Sequence, residues 1–156
     1  MTRWMMKSEP SVFSIDDLQR VGIEPWNGVR NYQARNYMRD TMRKDDPVLF
    51  YHSSCKEPGI VGVARVASAA YPDPSQFQRD QPGYDPKATL DSPRWYVVDI
   101  AFVRTLRRCI SLTRVKHVAH TLGSDFPLTR PGNRLSVFPV STQQWDILLQ
   151  MEEYVS

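Results

Sequence analysis

The chain has 156 residues, 41% of them hydrophobic and 24% charged, with a net charge of +3. That length and balance suit one globular domain over 1–156 with a sizeable core. Two cysteines, Cys55 and Cys109, exclude a disulfide scaffold. No apolar run nears the roughly 20 residues that cross a bilayer, and the opening Met-Thr-Arg-Trp-Met-Met-Lys is too short in its apolar part for a secretory leader. The expected location is the cytoplasm, or the nucleus in a eukaryote, with no membrane partner.

In chain order, Trp4 to Ser8 reads as a short strand. Ser14 caps a helix, with Asp17 three residues on and Phe13 placed to staple onto Leu18; Gly22 ends it. Asn31 to Met42 reads as a second helix, in which Arg35, Arg39 and Arg43 recur every four residues and share one face. Pro47 to Ser53 and Ile60 to Ala70 are apolar and β-branched, and read as neighbouring strands around Glu57-Pro58-Gly59. Tyr71 to Pro93 is rich in proline and aspartate and reads as a long surface loop anchored by Phe77 and Tyr84. Arg94 to Leu106 is the strongest strand, with Tyr96, Val98, Ile100 and Phe102 alternating onto one face. Ser111 caps a helix through His120, Arg134 to Val140 forms a last strand, and Ser141 with Gln144 boxes the start of a closing helix carrying Trp145, Leu148 and Leu149. Five or six strands with scattered short helices predict an α+β fold, a mixed and partly closed β-barrel surrounded by helices, rather than a doubly wound parallel sheet.

Three kinds of chemistry suggest themselves. His52, Cys55, Cys109, His117 and His120 have partial zinc-like spacing but contain no C-x-x-C pair, so no metal is expected. A His52–Cys55 nucleophilic pair lacks a visible orienting group and oxyanion hole. The segment Trp26-Asn27-Gly28-Val29-Arg30-Asn31-Tyr32-Gln33-Ala34-Arg35-Asn36-Tyr37 is richer. It gathers aromatic, amide and guanidinium groups, the types that stack on bases, read their edges and hold phosphates. Arg outnumbers Lys fifteen to five. The guanidinium fork suits phosphates and base edges, although GC-rich coding produces the same excess.

The chain resembles the EVE domain, a member of the PUA-like superfamily related to the YTH and SRA readers of modified bases. The resemblance runs through Trp-Met-Met-Lys-Ser-Glu-Pro (4–10), Phe-Ser-Ile-Asp-Asp-Leu (13–18) and Trp-Asn-Gly-Val-Arg-Asn-Tyr-Gln-Ala-Arg-Asn (26–36). It continues in Phe-Tyr-His-Ser-Ser-Cys-Lys-Glu-Pro-Gly-Ile-Val-Gly (50–62), Tyr-Pro-Asp-Pro (71–74), Tyr-Asp-Pro-Lys (84–87), Pro-Arg-Trp (93–95) and Arg-Leu-Ser-Val (134–137). It implies a PUA-like β-barrel whose mouth takes a flipped or single-stranded base, such as 5-methyl- or 5-hydroxymethylcytosine in DNA. Carried over motif by motif, the pocket walls are Lys7, Ser8, Glu9 and Pro10, then Trp26, Asn27, Gly28, Val29, Arg30 and Asn31. His52 and Ser53 follow, then Arg134, Leu135 and Ser136. Asn27 stands where the family usually has an acidic residue.

On this reading Trp26 stacks on the base, Asn31 and Ser53 read its edges, and Glu9 accepts from an exocyclic amine. Arg30, Arg35, Arg39 and Arg43 neutralise phosphates, as does Arg134. The expected partner is nucleic acid, with no cofactor, no metal and no catalytic residue. An RNA-binding module, as among PUA relatives that bind tRNA and rRNA, is the alternative. A small nucleotide-processing hydrolase using His52 and Cys55 is the rival from another class.

Overall fold

The structure is a computed structural model and describes residues 1–153. Its centre is a mixed sheet of six strands: β1 (Arg3–Ser8), β2 (Ile23–Pro25), β3 (Pro47–His52), β4 (Gly59–Val66), β7 (Asp99–Ser111) and β8 (Val137–Val140). Their order is β2-β7-β4-β3-β1-β8. Only β1 and β3 run parallel; the other neighbours are antiparallel. The sheet curls into a half-barrel and leaves β2 and β8 as edges. Proline cannot donate to a ladder, and Pro25 and Pro139 sit on these two edge strands. A second, two-stranded sheet pairs β5 (Tyr71–Pro72) with β6 (Tyr96–Val97). The described strands therefore number eight against the five or six read from sequence, because short ladders such as 71–72 carry no alternation to detect.

Around the sheet lie α1 (Ile15–Val21), α2 (Tyr32–Asn36), α3 (Leu112–His117), α4 (Ala119–Leu122) and α5 (Thr142–Gln150). The capping boxes at Ser14–Asp17 and Ser141–Gln144 form as expected, and Gly22 closes α1. None of the helices among the described residues is long and apolar enough to cross a membrane. The core includes Trp4, Met6, Leu18, Met38, Phe50, Ile100 and Phe138, all essentially sealed from water; Phe138 pairs with Met5, on the opposite face of the sheet from Trp4 and Met6.

Five expected elements differ. The strand expected to reach Ala70 ends at Val66, and the helix expected through His120 is broken at Val118 into α3 and α4. The second helix stops at Asn36 and continues as a π-helical turn, Tyr37–Thr41. The wider turn shifts the four-residue register, and Arg43 lies beyond the extended Met42 that ends it, so Arg35, Arg39 and Arg43 share no helix face. The strand beginning at Arg94 is two strands broken at Val98, and the second runs on to Ser111. The last strand begins at Val137, which leaves Arg134 in the preceding loop.

The 71–95 segment is anchored differently from expectation. Phe77 and Tyr84 are only half-buried, whereas Asp73 and Gln76 are wholly buried. Gln76 donates to the Asp73 and Trp95 carbonyls and accepts from the Arg94 and Trp95 amides. Polar side chains thus replace the missing sheet hydrogen bonds, which is how a loop can be buried without orphaned backbone groups.

Candidate functional site

One open cleft of about 500 Å³ lies where the ends of β1 and β2 meet the loops that follow them. Volumes of this order hold small ligands (~300–1,000 Å³). Its walls are Lys7, Ser8, Glu9, Val12 and Phe13 on one side, Glu24 to Arg30 on the other, and Ser136 at the base.

The first wall is fixed by the sheet. Parallel pairing sets Lys7 beside Tyr51 and Ser8 beside His52. The Lys7 amide donates to the Ser136 carbonyl at 2.9 Å, which brings the loop before β8 to the cleft. The Glu9 carbonyl accepts from the Val12 and Phe13 amides, and the Ser8 hydroxyl donates to the Phe13 carbonyl at 2.6 Å. These bonds fold the turn so that Phe13 faces the cleft. The Lys7 ammonium stands 5.7 Å from the Tyr51 ring and 5.9 Å from Phe138. Burial against these rings holds its pKa below the ordinary lysine value.

The second wall is held from behind. The Trp26 amide donates to Val98 at 2.9 Å. The indole meets Phe50 edge-on, with centroids 5.5 Å apart, and is 9% exposed. Gly28 turns the chain in the left-handed region, φ 79°, where a side chain would be strained. Its amide then reaches Asp73 Oδ2 at 2.9 Å. Arg30 crosses the same gap. It donates to Asp73 at 3.1 Å, Ser75 Oγ at 3.2 Å and the Gly83 carbonyl at 2.6 Å, and it lies 5.2 Å over the Trp95 ring. A Cβ on Gly83 would stand 2.6 Å from the Arg30 guanidinium and 2.5 Å from Ser75 Oγ, so the clamp closes only on glycine. Burial alone raises the Asp73 carboxyl, but the bonds from Gly28, Ser75 and Arg30 outweigh it and hold the pKa below the usual carboxylate range.

Of the pocket residues anticipated from sequence, Lys7, Ser8, Glu9, Trp26, Asn27, Gly28, Val29, Arg30 and Ser136 line the cleft. Pro10, Asn31, His52, Ser53, Arg134 and Leu135 do not, and most have a definable place elsewhere. Pro10 lies in the turn after β1. Asn31 caps α2 by accepting from the Ala34 amide. His52 Nε2 accepts from the Ile15 amide at 3.1 Å, which positions α1, and the Ser53 amide donates to the Ser8 carbonyl. Leu135 packs in the core, and Arg134 is exposed in its loop. Val12, Phe13, Glu24 and Pro25 were missed. Phe13 reads in sequence only as a staple for α1, and Glu24 belongs to a strand of three residues, too short to show a period.

The arginines assigned to phosphate are largely engaged within the chain. Arg30 is the clamp just described. Arg39 pairs with Asp40 at 2.7 Å, and Arg43 donates to the Asp40 and Met42 carbonyls. Arg35 bonds the Arg94 carbonyl and Asn36. The cysteine rival loses its base: the His52 nitrogen is occupied as an acceptor, and burial lowers its pKa.

The EVE domain model matches residues 2–151. Thymocyte nuclear protein 1 of Rattus norvegicus is 44% identical over 168 residues, covering 96% of this chain and 73% of that protein. A crystal structure of a Pseudomonas syringae protein is 45% identical, with a TM-score of 0.90 over 96% of this chain and 99% of that one. The human THYN1 protein, solved in complex with 5-methylcytosine-containing DNA, is 40% identical, with a TM-score of 0.88 and full coverage of both chains. On the family match and these identities, the chain belongs to the EVE domain family.

Proposed function

We propose that the chain is a DNA-binding module that reads 5-methylcytosine, taking the base into the cleft between β1 and the Trp26–Arg30 loop. The observation that carries this reading is the composition of that cleft. An indole strip, Phe13 and Val12 supply apolar contact, while Lys7 and Glu9 stand on one wall and Glu24 on the other. Cytosine presents a carbonyl acceptor and an exocyclic amine. Lys7 donates to the carbonyl oxygen, and a carboxylate of Glu9 or Glu24 accepts from the amine. The methyl group is placed against the apolar wall. The DNA complex of the human relative supports the same ligand class.

The base must leave its stack to enter, at a cost of a few kcal/mol that is least for an unpaired nucleotide. Burying one methyl contributes about 0.8 kcal/mol, or roughly a fourfold preference for the methylated base. The module binds rather than transforms its ligand, since His52, the base of the one nucleophile–base pair in view, is committed to the Ile15 amide. Its place in the cell is wherever such DNA lies.

The test is a panel of short DNA and RNA oligonucleotides carrying plain, 5-methylated and 5-hydroxymethylated cytosine, read by fluorescence anisotropy, with the ligand recovered and weighed by mass spectrometry. The expected result is tightest binding to 5-methylcytosine DNA, with the ligand recovered unchanged. Equal affinity for plain cytosine, preference for RNA, or an altered ligand would overturn it.

A further inference from the structure

Beyond Arg30, away from the cleft, aromatic rings and guanidinium groups alternate. Tyr32 stacks on Trp95 with centroids 4.8 Å apart and planes 24° from parallel. Trp95 is buried and pinned by its indole N–H, which donates to Asp85 at 2.7 Å. Tyr32 is 48% exposed. Arg35 lies 4.7 Å from the Tyr32 centroid and 5.8 Å from that of Trp95. It therefore sits beside the stacked pair and does not cover the outer face of Tyr32. Arg94 donates to the Tyr32 hydroxyl at 2.5 Å. A half-exposed ring held flat against a buried one is a stacking surface that needs no rearrangement.

The charge around this ring is not balanced. The side-chain bonds of Arg35 go to neutral oxygens of Asn36 and Arg94. Burial, and then repulsion from Arg39, lower its pKa; Tyr32 and Asp40 oppose this, and Arg94 adds a smaller lowering. Asp85 reaches Arg94 only at 3.6 Å, while its shorter contact goes to Trp95. An anion between Arg35 and Arg94 relieves this repulsion. The patch is continuous with the cleft, because Arg30 lines the cleft and covers Trp95 at 5.2 Å. The Arg30–Trp95 and Trp95–Tyr32 contacts, 5.2 and 4.8 Å, lead from the cleft wall to Tyr32.

We infer that Tyr32, Arg35 and Arg94 form a second nucleotide subsite, which takes a base flanking the one in the cleft onto Tyr32 and its phosphate between the two arginines. The inference rests on the cleft being a nucleic-acid site. The flanking base is not read by sequence, since stacking accepts any base.

The experiment titrates wild type, Tyr32→Ala, Tyr32→Phe and Arg94→Gln with two single-stranded DNA seven-mers, one with a central 5-methylcytosine and one with plain cytosine, at several salt concentrations. Tyr32→Ala is expected to weaken both about tenfold, the scale of one stacked base, and to leave their ratio unchanged. Tyr32→Phe should restore most of the affinity, and Arg94→Gln should flatten the salt slope by about one ion. Melting temperatures are read on the same samples, and Arg94→Gln serves as the independent variant if Tyr32→Ala misfolds. Unchanged affinity in both variants overturns the subsite while the methyl preference stands. No methyl preference in the wild type, with Tyr32→Ala still weakening both oligonucleotides, overturns the cleft reading and keeps the subsite. No binding of either oligonucleotide overturns both.

Discussion

Arg30 and Asp73 join two segments 43 residues apart through a 3.1 Å ion pair in which the carboxylate is wholly buried and the guanidinium 26% exposed. The pair holds the cleft wall to the loop behind it, and the Gly28 amide adds a second tie to the same oxygen. Arg30 thus positions the site, and both its terminal nitrogens already donate within the chain.

Replacing Asp73 by Asn should therefore loosen the wall without touching ligand. Breaking a fully buried pair costs about 3–5 kcal/mol; Arg30 keeps some water, so the expected loss is about 2 kcal/mol in urea unfolding. The Asp73 carboxyl is held below its unfolded value, so the unfolded chain binds more protons at acid pH. The stabilisation is complete above the ordinary carboxylate pKa and is lost as pH falls through the lower folded one. Wild type should lose stability along that acid limb, and D73N should lose less. Identical acid limbs would show that Asp73 does not carry the effect.

Trp26 is both a core and a cleft residue. Only 9% of it is exposed, and its edge contact with Phe50 belongs to the core. The sequence reading makes it a stacking wall, and the geometry gives it a core role as well. Trp26→Ala should cost about 3–5 kcal/mol of stability together with oligonucleotide affinity. Trp26→Phe should recover most of the melting temperature while remaining weaker in binding. Full affinity in folded Trp26→Phe would mean that the indole strip contributes nothing to the ligand.

What could be read from the sequence divides along a physical line. Strands β1 and β3 and both capping boxes are local patterns, and they fall where the residues predict; β4 starts where expected but ends at Val66 rather than Ala70. The Trp26–Arg30 wall was legible because its residue types are concentrated in sequence. The partners of Arg30 were not, since Asp73, Ser75 and Gly83 lie more than forty residues away in a segment that reads as surface loop. His52 and Asn31 carry polar groups suited to a base edge; Asn31 sits at a helix start, where its bond to the Ala34 amide is a local cap, but nothing local reveals that the Ile15 amide, 37 residues away, already occupies His52. The π turn escaped for a similar reason: an arginine every fourth residue implies a regular helix, and side-chain spacing does not register one inserted residue in the backbone.

Lys7 should show a trade between stability and binding. Its ammonium is half-buried against Tyr51 and Phe138, and burial lowers its pKa. The charged form is therefore less favoured in the folded chain than in the unfolded one. Between the lowered folded pKa and the ordinary lysine value the unfolded state binds more protons, so this contribution to stability rises with pH. Lys7→Met keeps the stem and removes the charge. It should raise the melting temperature at neutral pH by a few degrees and weaken oligonucleotide binding about tenfold or more, the value of a hydrogen bond to a charged group. A variant that melts higher and binds equally well would remove Lys7 from the reading of the base.

His52 should govern stability near neutral pH while leaving binding alone. Its Nε2 accepts the Ile15 amide at 3.1 Å, which requires that nitrogen to be unprotonated and so fixes the neutral tautomer. Burial lowers its pKa, with Asp16 opposing in part. Between that lowered value and the ordinary value near 6.5, the unfolded chain binds the extra proton and the folded chain does not. The stabilisation is thus present above 6.5 and lost as pH falls through the folded pKa. His52→Ala leaves the first amide of α1 without its acceptor and should cost about 1–3 kcal/mol at pH 7.5. His52→Gln offers a carbonyl oxygen in its place and should recover part of that while flattening the stability profile on the acid side of neutrality. Denaturant midpoints from pH 5 to 8 on the three proteins check this. At pH 7.5 both variants should retain oligonucleotide affinity in the folded fraction, because His52 lies outside the cleft. A selective loss of affinity in well-folded His52→Gln would return the imidazole to the site.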